Sequence, residues 1–163
     1  MSSPLTDWPG LGQLLVQRQQ RLALVEASCG GALSAQATAA PGASAWFAGS
    51  LIPYADSTKQ AWLAIDPQRI IEHGAVSVEV ALDLAKQASR WADWAVAETG
   101  IYGPGGARPG KPVGTVCVAV QGPEGWSDAQ RWQLSGSREQ MRRHISDKVV
   151  AWLRAQLLSQ ASR

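Results

Sequence analysis

Apolar and polar positions follow two periods along the chain, and the switches between them mark out helices and strands. Leu11, Leu14 and Leu15 recur at helical spacing with Gln13, Gln17 and Gln20 off that stripe, which predicts an amphipathic helix over residues 11–20. LALVEAS, residues 22–28, reads as a short apolar strand that runs into Gly30-Gly31. An alanine-rich helix, ALSAQATAA, follows and is closed by Pro41-Gly42. WFAGSLIPY, residues 46–54, predicts a second strand, and Ser57 is placed to cap a helix carrying Lys59 through Leu63. Ser77 caps a further helix, in which Val78, Ala81, Leu82, Ala85 and Ala88 form the apolar stripe. WAVAE, residues 94–98, predicts a strand entering a glycine-rich loop over 99–112. The alternation of VGTVCVAVQG is the clearest strand pattern in the chain. Arg131 to Leu134 add an edge strand, and Met141, Ile145, Val149, Trp152 and Leu153 stripe a last helix over 138–159.

Strands alternating with helices indicate an α/β sandwich, and the close spacing of the last strands argues for a mixed sheet rather than an all-parallel one. With 163 residues and no internal repeat or low-complexity linker, the chain is read as a single domain over residues 1–163. No apolar run approaches the roughly 20 residues that span a membrane, and the opening MSSPLTDWPG lacks the apolar core of a signal peptide, so a cytoplasmic protein is expected. The net charge is +2, with Arg138, Arg142, Arg143, Lys148 and Arg154 gathered on the last helix. That gathering fits a solvated helix face with room for phosphate contact. Lacking a basic stripe interleaved with aromatics, the chain is not expected to bind nucleic acid. Cys29 and Cys117 fit reduced thiols, and two histidines without clustered cysteines argue against a metal centre. Eight tryptophans against one phenylalanine are read as core or interface filler, with Trp46, Trp62, Trp94, Trp132 and Trp152 on expected elements.

In open α/β sheets ligands bind where strands end and loops begin, and two such places stand out. The first is Glu26-Ala27-Ser28-Cys29-Gly30-Gly31. Here a strand delivers small polar side chains to a helix N-terminus, whose free N–H groups attract anions. The second is Thr99-Gly100-Ile101-Tyr102-Gly103-Pro104-Gly105-Gly106, a structured turn that lacks the Gly-Lys-Ser/Thr of a Walker loop and opens no helix.

Residues 99–115, TGIYGPGGARPGKPVGT, resemble the TGIAGPGG…KPVGT signature of the CinA C-terminal domain family. YADSTK at 54–59 is similar to that family's YSNxxK, HGAVS at 73–77 matches its HGAVS, and Gly136-Ser137-Arg138 with Arg142 resembles its G-D-R-x-x-x-R. The resemblance covers residues 12–160. It implies a three-layer α/β/α sandwich with a mixed, mostly parallel sheet, and a homodimer. It also implies nicotinamide-nucleotide amidase chemistry, in which nicotinamide mononucleotide and water give nicotinate mononucleotide and ammonia without a cofactor. The partner it implies is therefore a small nucleotide. Lys59 with Tyr54 is the implied base. Glu26, Cys29, Gly30, Gly31, Thr99, Gly100, Gly103, Gly105 and Gly106 are the implied substrate pocket, with Arg138 or Arg142 pairing with the phosphate and Lys111 a second phosphate contact.

The family's first turn reads A-E-S-C-T-G-G, and its serine is the nucleophile. Aligned without gaps, Ala27 occupies that serine's position, Ser28 the cysteine's and Cys29 the threonine's. An alternative alignment keeps Ser28-Cys29 as the family's Ser-Cys, at the cost of an added alanine and a lost threonine. A one-residue shift in an extended segment turns a side chain to the opposite face, so Ser28 does not automatically reach the place that Ala27 vacates. Two functions follow: an amidase using a displaced nucleophile, with Ser28 or else Cys29 as the candidate, or a catalytically inactive nucleotide- or partner-binding protein on the same scaffold. Tyr102 replaces a small residue of the signature and is expected to narrow or re-aim the pocket.

Overall fold

A computed structural model describes residues 7–160, so the first six residues, which open the expected signal-free start, and the last three of the expected domain lie outside the described residues. Five strands form one sheet in the order β2-β1-β3-β4-β5: β1 Leu22–Glu26, β2 Phe47–Leu51, β3 Trp94–Gly100, β4 Thr115–Gln121 and β5 Ser127–Gln133. β1 pairs parallel with β2 and β3, whereas β3–β4 and β4–β5 are antiparallel. The sheet is mixed as expected but evenly divided, not mostly parallel. The reason is local: residues 101–114 between β3 and β4 contain no helix, and a parallel return needs a crossover of a dozen or more residues, usually helical.

Six helices cover the two faces. α1 Trp8–Gln17, α2 Ala32–Ala39 and α6 Arg138–Gln160 lie on one side; α3 Asp56–Leu63, α4 Pro67–His73 and α5 Val78–Ala88 lie on the other. Strand alternation distributes the core between them. Leu22, Leu24, Trp94, Val96, Val116, Val118 and Val120 point to the first side, while Val25, Ala95, Ala97, Cys117 and Ala119 point to the second. The second set is small because α5 packs closely on the strands, burying Val80, Ala81, Leu84, Ala85 and Ala88. That stripe is rotated from the expected one, since Val78 and Leu82 sit at its margin.

Several boundaries follow from capping. Asp7 accepts from the Gly10 N–H at 2.7 Å and Pro9 occupies the first turn, so α1 starts earlier than its leucine stripe suggests. Ser77 caps α5 by accepting from Val80 N. Ser57 does not cap α3, because the chain turns helical two residues sooner and Ala55 takes the cap position. α4 escaped the sequence reading; Asp66 accepting from Gln68 N and Pro67 at its first position are the signals that mark it. β5 begins four residues before the expected edge strand, its polar residues being tolerated because it is an edge. Trp8 stacks on Trp46 and donates to Ser146 Oγ at 2.9 Å within the core, whereas Trp62 and Trp91 are exposed.

Candidate functional site

β1 delivers Glu26 to the first face and Ala27 to the second, continuing the strand's alternation by one residue: Ala27 N still bonds the Glu98 carbonyl of β3. The chain then turns through Gly30 and Gly31, both with positive φ, before α2 begins. A side chain at either position would strain the turn, which explains the glycine pair. Glu26 is fully buried, and its carboxylate accepts from Leu33 N and Ser34 N, both at 2.9 Å, and from Ser50 Oγ at 3.0 Å. It therefore caps α2 from inside, where the helix N-terminus favours negative charge. Expected as part of a substrate pocket, Glu26 is consumed by the fold.

Glu98, fully buried on β3 and in register with Glu26, holds the other half of the turn. Its carboxylate accepts from Ser28 N at 3.3 Å, Cys29 N at 3.1 Å, Tyr102 Oη at 3.0 Å and, through a short bond, Ser28 Oγ. The Tyr102 hydroxyl thus turns inward to Glu98, and the residue is buried at the wall of the cleft. Burial, followed by the Glu98 charge, pushes the Tyr102 phenol far above its usual range. Cys29 is also fully buried, with Sγ 3.3 Å from Glu26. Burial, then Glu98 and Glu26, raises its thiol well above the usual value, so it is a neutral filler and not a thiolate nucleophile. Arg142 Nε donates to the Cys29 carbonyl at 3.0 Å and clamps the turn from outside.

On the opposite face Lys59 and Leu63 are the buried residues of α3. Leu63 packs in the same cluster as Ala27, so the Ala27 methyl group lies on the α3 side of the sheet. Only 3% of Lys59 is exposed, and its Nζ donates to Asp56 Oδ1 at 3.0 Å and Tyr54 O at 3.3 Å. The structure does not join Ser28 to Lys59: the serine hydroxyl goes to Glu98, the ammonium to Asp56 and Tyr54. The Tyr54 ring is exposed, and its hydroxyl accepts from Arg138 at 3.1 Å.

Beside this turn a cleft of about 690 Å3 opens between α4 and the β3–β4 loop. Gly100, Gly103, Gly105, Gly106 and Arg138 line it, as do Tyr102, His73, Arg108 and Lys111. Arg138 Nη1 holds the loop through Gly103 O at 2.9 Å, and Lys111 donates to His73 O. Thr99 lies beneath, its Oγ1 donating to Ala75 O at 2.8 Å and fixing the turn before α5. Gly30, Gly31, Cys29 and Arg142 belong to the turn and do not line the cleft.

The model of the CinA C-terminal domain matches residues 9–157. The chain belongs to the CinA C-terminal domain family. A CinA-like protein of Geobacter metallireducens is 39% identical over 151 residues, and one of a Synechococcus strain is 40% identical over 154. Each alignment covers 91% of this chain but 36% of the relative, so the chain spans about a third of the length of these CinA-like proteins. Among solved structures, a CinA superfamily protein from Klebsiella pneumoniae superposes with a TM-score of 0.88 at 27% identity, covering 95% of this chain and 96% of that one. The CinA superfamily protein of Escherichia coli gives 0.85 at 26% identity, covering 94% and 92%.

Within the CinA frame, the sequence reading missed Glu98 and Arg108. Glu98 closes an otherwise apolar strand, WAVAE, and a charge at that point was the available signal. Arg108 stands between two glycine-proline turns, which hold it toward the cleft.

Proposed function

We propose that this member of the CinA C-terminal domain family binds a phosphorylated amide ligand of the nicotinamide mononucleotide type in the α4-side cleft and does not carry out serine amidolysis. Arg138, Arg108 and Lys111 supply the cationic side for a phosphate, with Arg138 the residue suited to a bidentate contact. Asp56 and Glu72 on the same cleft suit a cationic ring. One observation carries the non-hydrolytic part: Ser28 Oγ is bonded to Glu98 on one face, while Lys59 lies on α3 on the other, bonded to Asp56 and Tyr54.

Serine amidolysis needs an Oγ that adds to the amide carbonyl carbon while a base takes its proton. Donors must hold the negative oxygen until the C–N bond breaks and ammonia leaves with a proton; water then cleaves the ester. Lys59, the base that the resemblance implies, is present on α3, but the residue at the nucleophile position is Ala27, which has no hydroxyl. The intact lysine favours a second reading, a residual amidase in which Ser28 reorients toward it.

Calorimetric titration of nicotinamide mononucleotide separates the readings when paired with an ammonia-release assay. Saturable binding weakened at least tenfold by Arg138→Ala, with no ammonia formed, is the expected result. Ammonia release abolished by Ser28→Ala would establish the residual amidase; neither binding nor turnover would remove the ligand assignment. The cytoplasmic homodimer implied by the resemblance goes with this reading, and sedimentation velocity checks the dimer.

A further inference from the structure

The turn after β1 presents two consecutive backbone N–H groups, those of Ser28 and Cys29, toward a single point. The N–H of the residue after a nucleophile position, ahead of a helix, is a usual oxyanion donor, and here the next N–H points to the same place. Here one carboxylate oxygen, Glu98 Oε2, already sits at that point. The other, Oε1, is held by Tyr102 Oη and Ser28 Oγ. We infer that Glu98 is a built-in anion: its carboxylate fills the oxyanion position of the turn, and Tyr102 with Ser28 latches it there.

Three facts on different elements agree. Glu98 comes from β3, and none of its partners is a basic side chain among the described residues. A carboxylate removed from water needs compensation from donors, and these four are what the site provides. Tyr102 is buried although it belongs to a loop that lines a cleft, and among the described residues its hydroxyl bonds Glu98 alone. Ser28 has turned to the same face as Glu98, away from the α3 side where the lysine lies. The consequence differs from loss of a nucleophile. With Ala27 alone changed, the turn would still offer a negative oxygen two N–H donors; with Glu98 in place it offers none. Glu98 is therefore a positioning residue that closes the turn to external anions, independently of what the neighbouring cleft binds.

Two measurements test this on the whole chain. In the wild-type protein, hydrogen exchange followed by NMR should show Ser28 and Cys29 amides protected at least a hundredfold over their unfolded rates; unprotected amides at both positions would overturn the assignment. In Glu98→Ala, with folding verified by circular dichroism, sodium formate should replace the missing carboxylate. The melting temperature should rise saturably by about 3 °C or more over matched sodium chloride, with no such rise in wild type. A folded Glu98→Ala variant whose response to formate equals the wild type's would refute the built-in anion. Neither measurement involves the cleft ligand, so a failure here is distinct from failure of the nucleotide-binding reading.

Discussion

Glu26 and Glu98 stand opposite each other in register on adjacent parallel strands, both fully buried, and divide the N–H groups of one turn between them. Glu26 takes those of Leu33 and Ser34 at the start of α2; Glu98 takes those of Ser28 and Cys29 just before it. Like charges at neighbouring positions repel in a medium of low dielectric, and neither carboxylate is in an ion pair among the described residues. Their burial is sustained by donors instead. The turn and the two acids form one polar unit inside an apolar sandwich, so each acid's removal exposes the donors it served.

Glu26→Ala should destabilise the protein severely. It strands two backbone N–H groups and the Ser50 hydroxyl, each previously bonded to a charge, and leaves α2 without its internal cap. A loss of about 3 kcal/mol or more is expected, which for a chain of this size lowers Tm by roughly 10 °C. Thermal unfolding of the two proteins measures it; a change within a degree would mean that water satisfies these groups.

Both thiols should resist labelling and make the fold sensitive to alkali. Burial raises Cys29 and Cys117, and for Cys29 the Glu98 and Glu26 charges add to it. An unfolded thiol titrates near about 8.5, so below that pH both states keep the proton and stability is flat. Above it the unfolded chain loses protons that the folded chain retains, so stability falls as pH rises, by up to about 1.4 kcal/mol per pH unit for each thiol. Urea unfolding at pH 7.5 and 9.5 tests the sign, and Cys29→Ala should flatten the decline without abolishing it. Rapid modification of the native protein by a thiol reagent at pH 7.5 would contradict this account.

Much of the scaffold was legible because burial writes a period into the sequence. The valines of β4, the stripe of α6 and the Ser77 cap all report a local rule. What escaped depends on long-range pairing. Residues 101–114 return the chain antiparallel because they form no crossover helix, and β4 then pairs with β3. The α5 stripe was placed one position off because its contact is set by small residues on the strands, not by its own pattern. At the site, the motifs located the turn and the loop correctly, yet no local rule joins Ser28 to Glu98, 70 residues away. Their meeting follows from the β1–β3 register. Glu26 and Cys29 belong to the pocket only through the family resemblance; their place at a strand end reads as buried and hydrogen-bonded, and burial assigns both to the interior.

Gly114, in the KPVGT segment, should tolerate no side chain, for a reason unrelated to ligands. Its φ is +93°, and a Cβ there would lie 2.1 Å from the Leu134 backbone carbonyl. Leu134 N also donates to Gly114 O at 2.8 Å, so neither backbone can retreat without breaking the end of the β4–β5 pairing. Gly114→Ala should cost about 3 kcal/mol or more by chemical denaturation, through strain and steric overlap together. Gly105→Ala, in the same loop with open space around its Cβ position and an ordinary φ, should cost less than about 1 kcal/mol. Equal costs at the two positions would show that the loop yields as a whole.

Restoring hydrolysis should take more than restoring a hydroxyl. Ala27→Ser puts an Oγ on the face shared by Leu63 and, one turn earlier on α3, Lys59. The Ser28 and Cys29 N–H groups, the two backbone donors that directly follow this position, would still be occupied by Glu98. Loss of a single oxyanion donor typically costs about 100- to 1,000-fold in rate, and here both are taken. Ammonia release from nicotinamide mononucleotide by Ala27→Ser alone should therefore stay near background. Adding Glu98→Ala and Tyr102→Ala, which frees the two donors and removes the latch, should raise it at least 100-fold over the single variant. Equal turnover by the single and triple variants, both folded and both binding the nucleotide, would show that the carboxylate yields to substrate and that the missing serine was the whole defect.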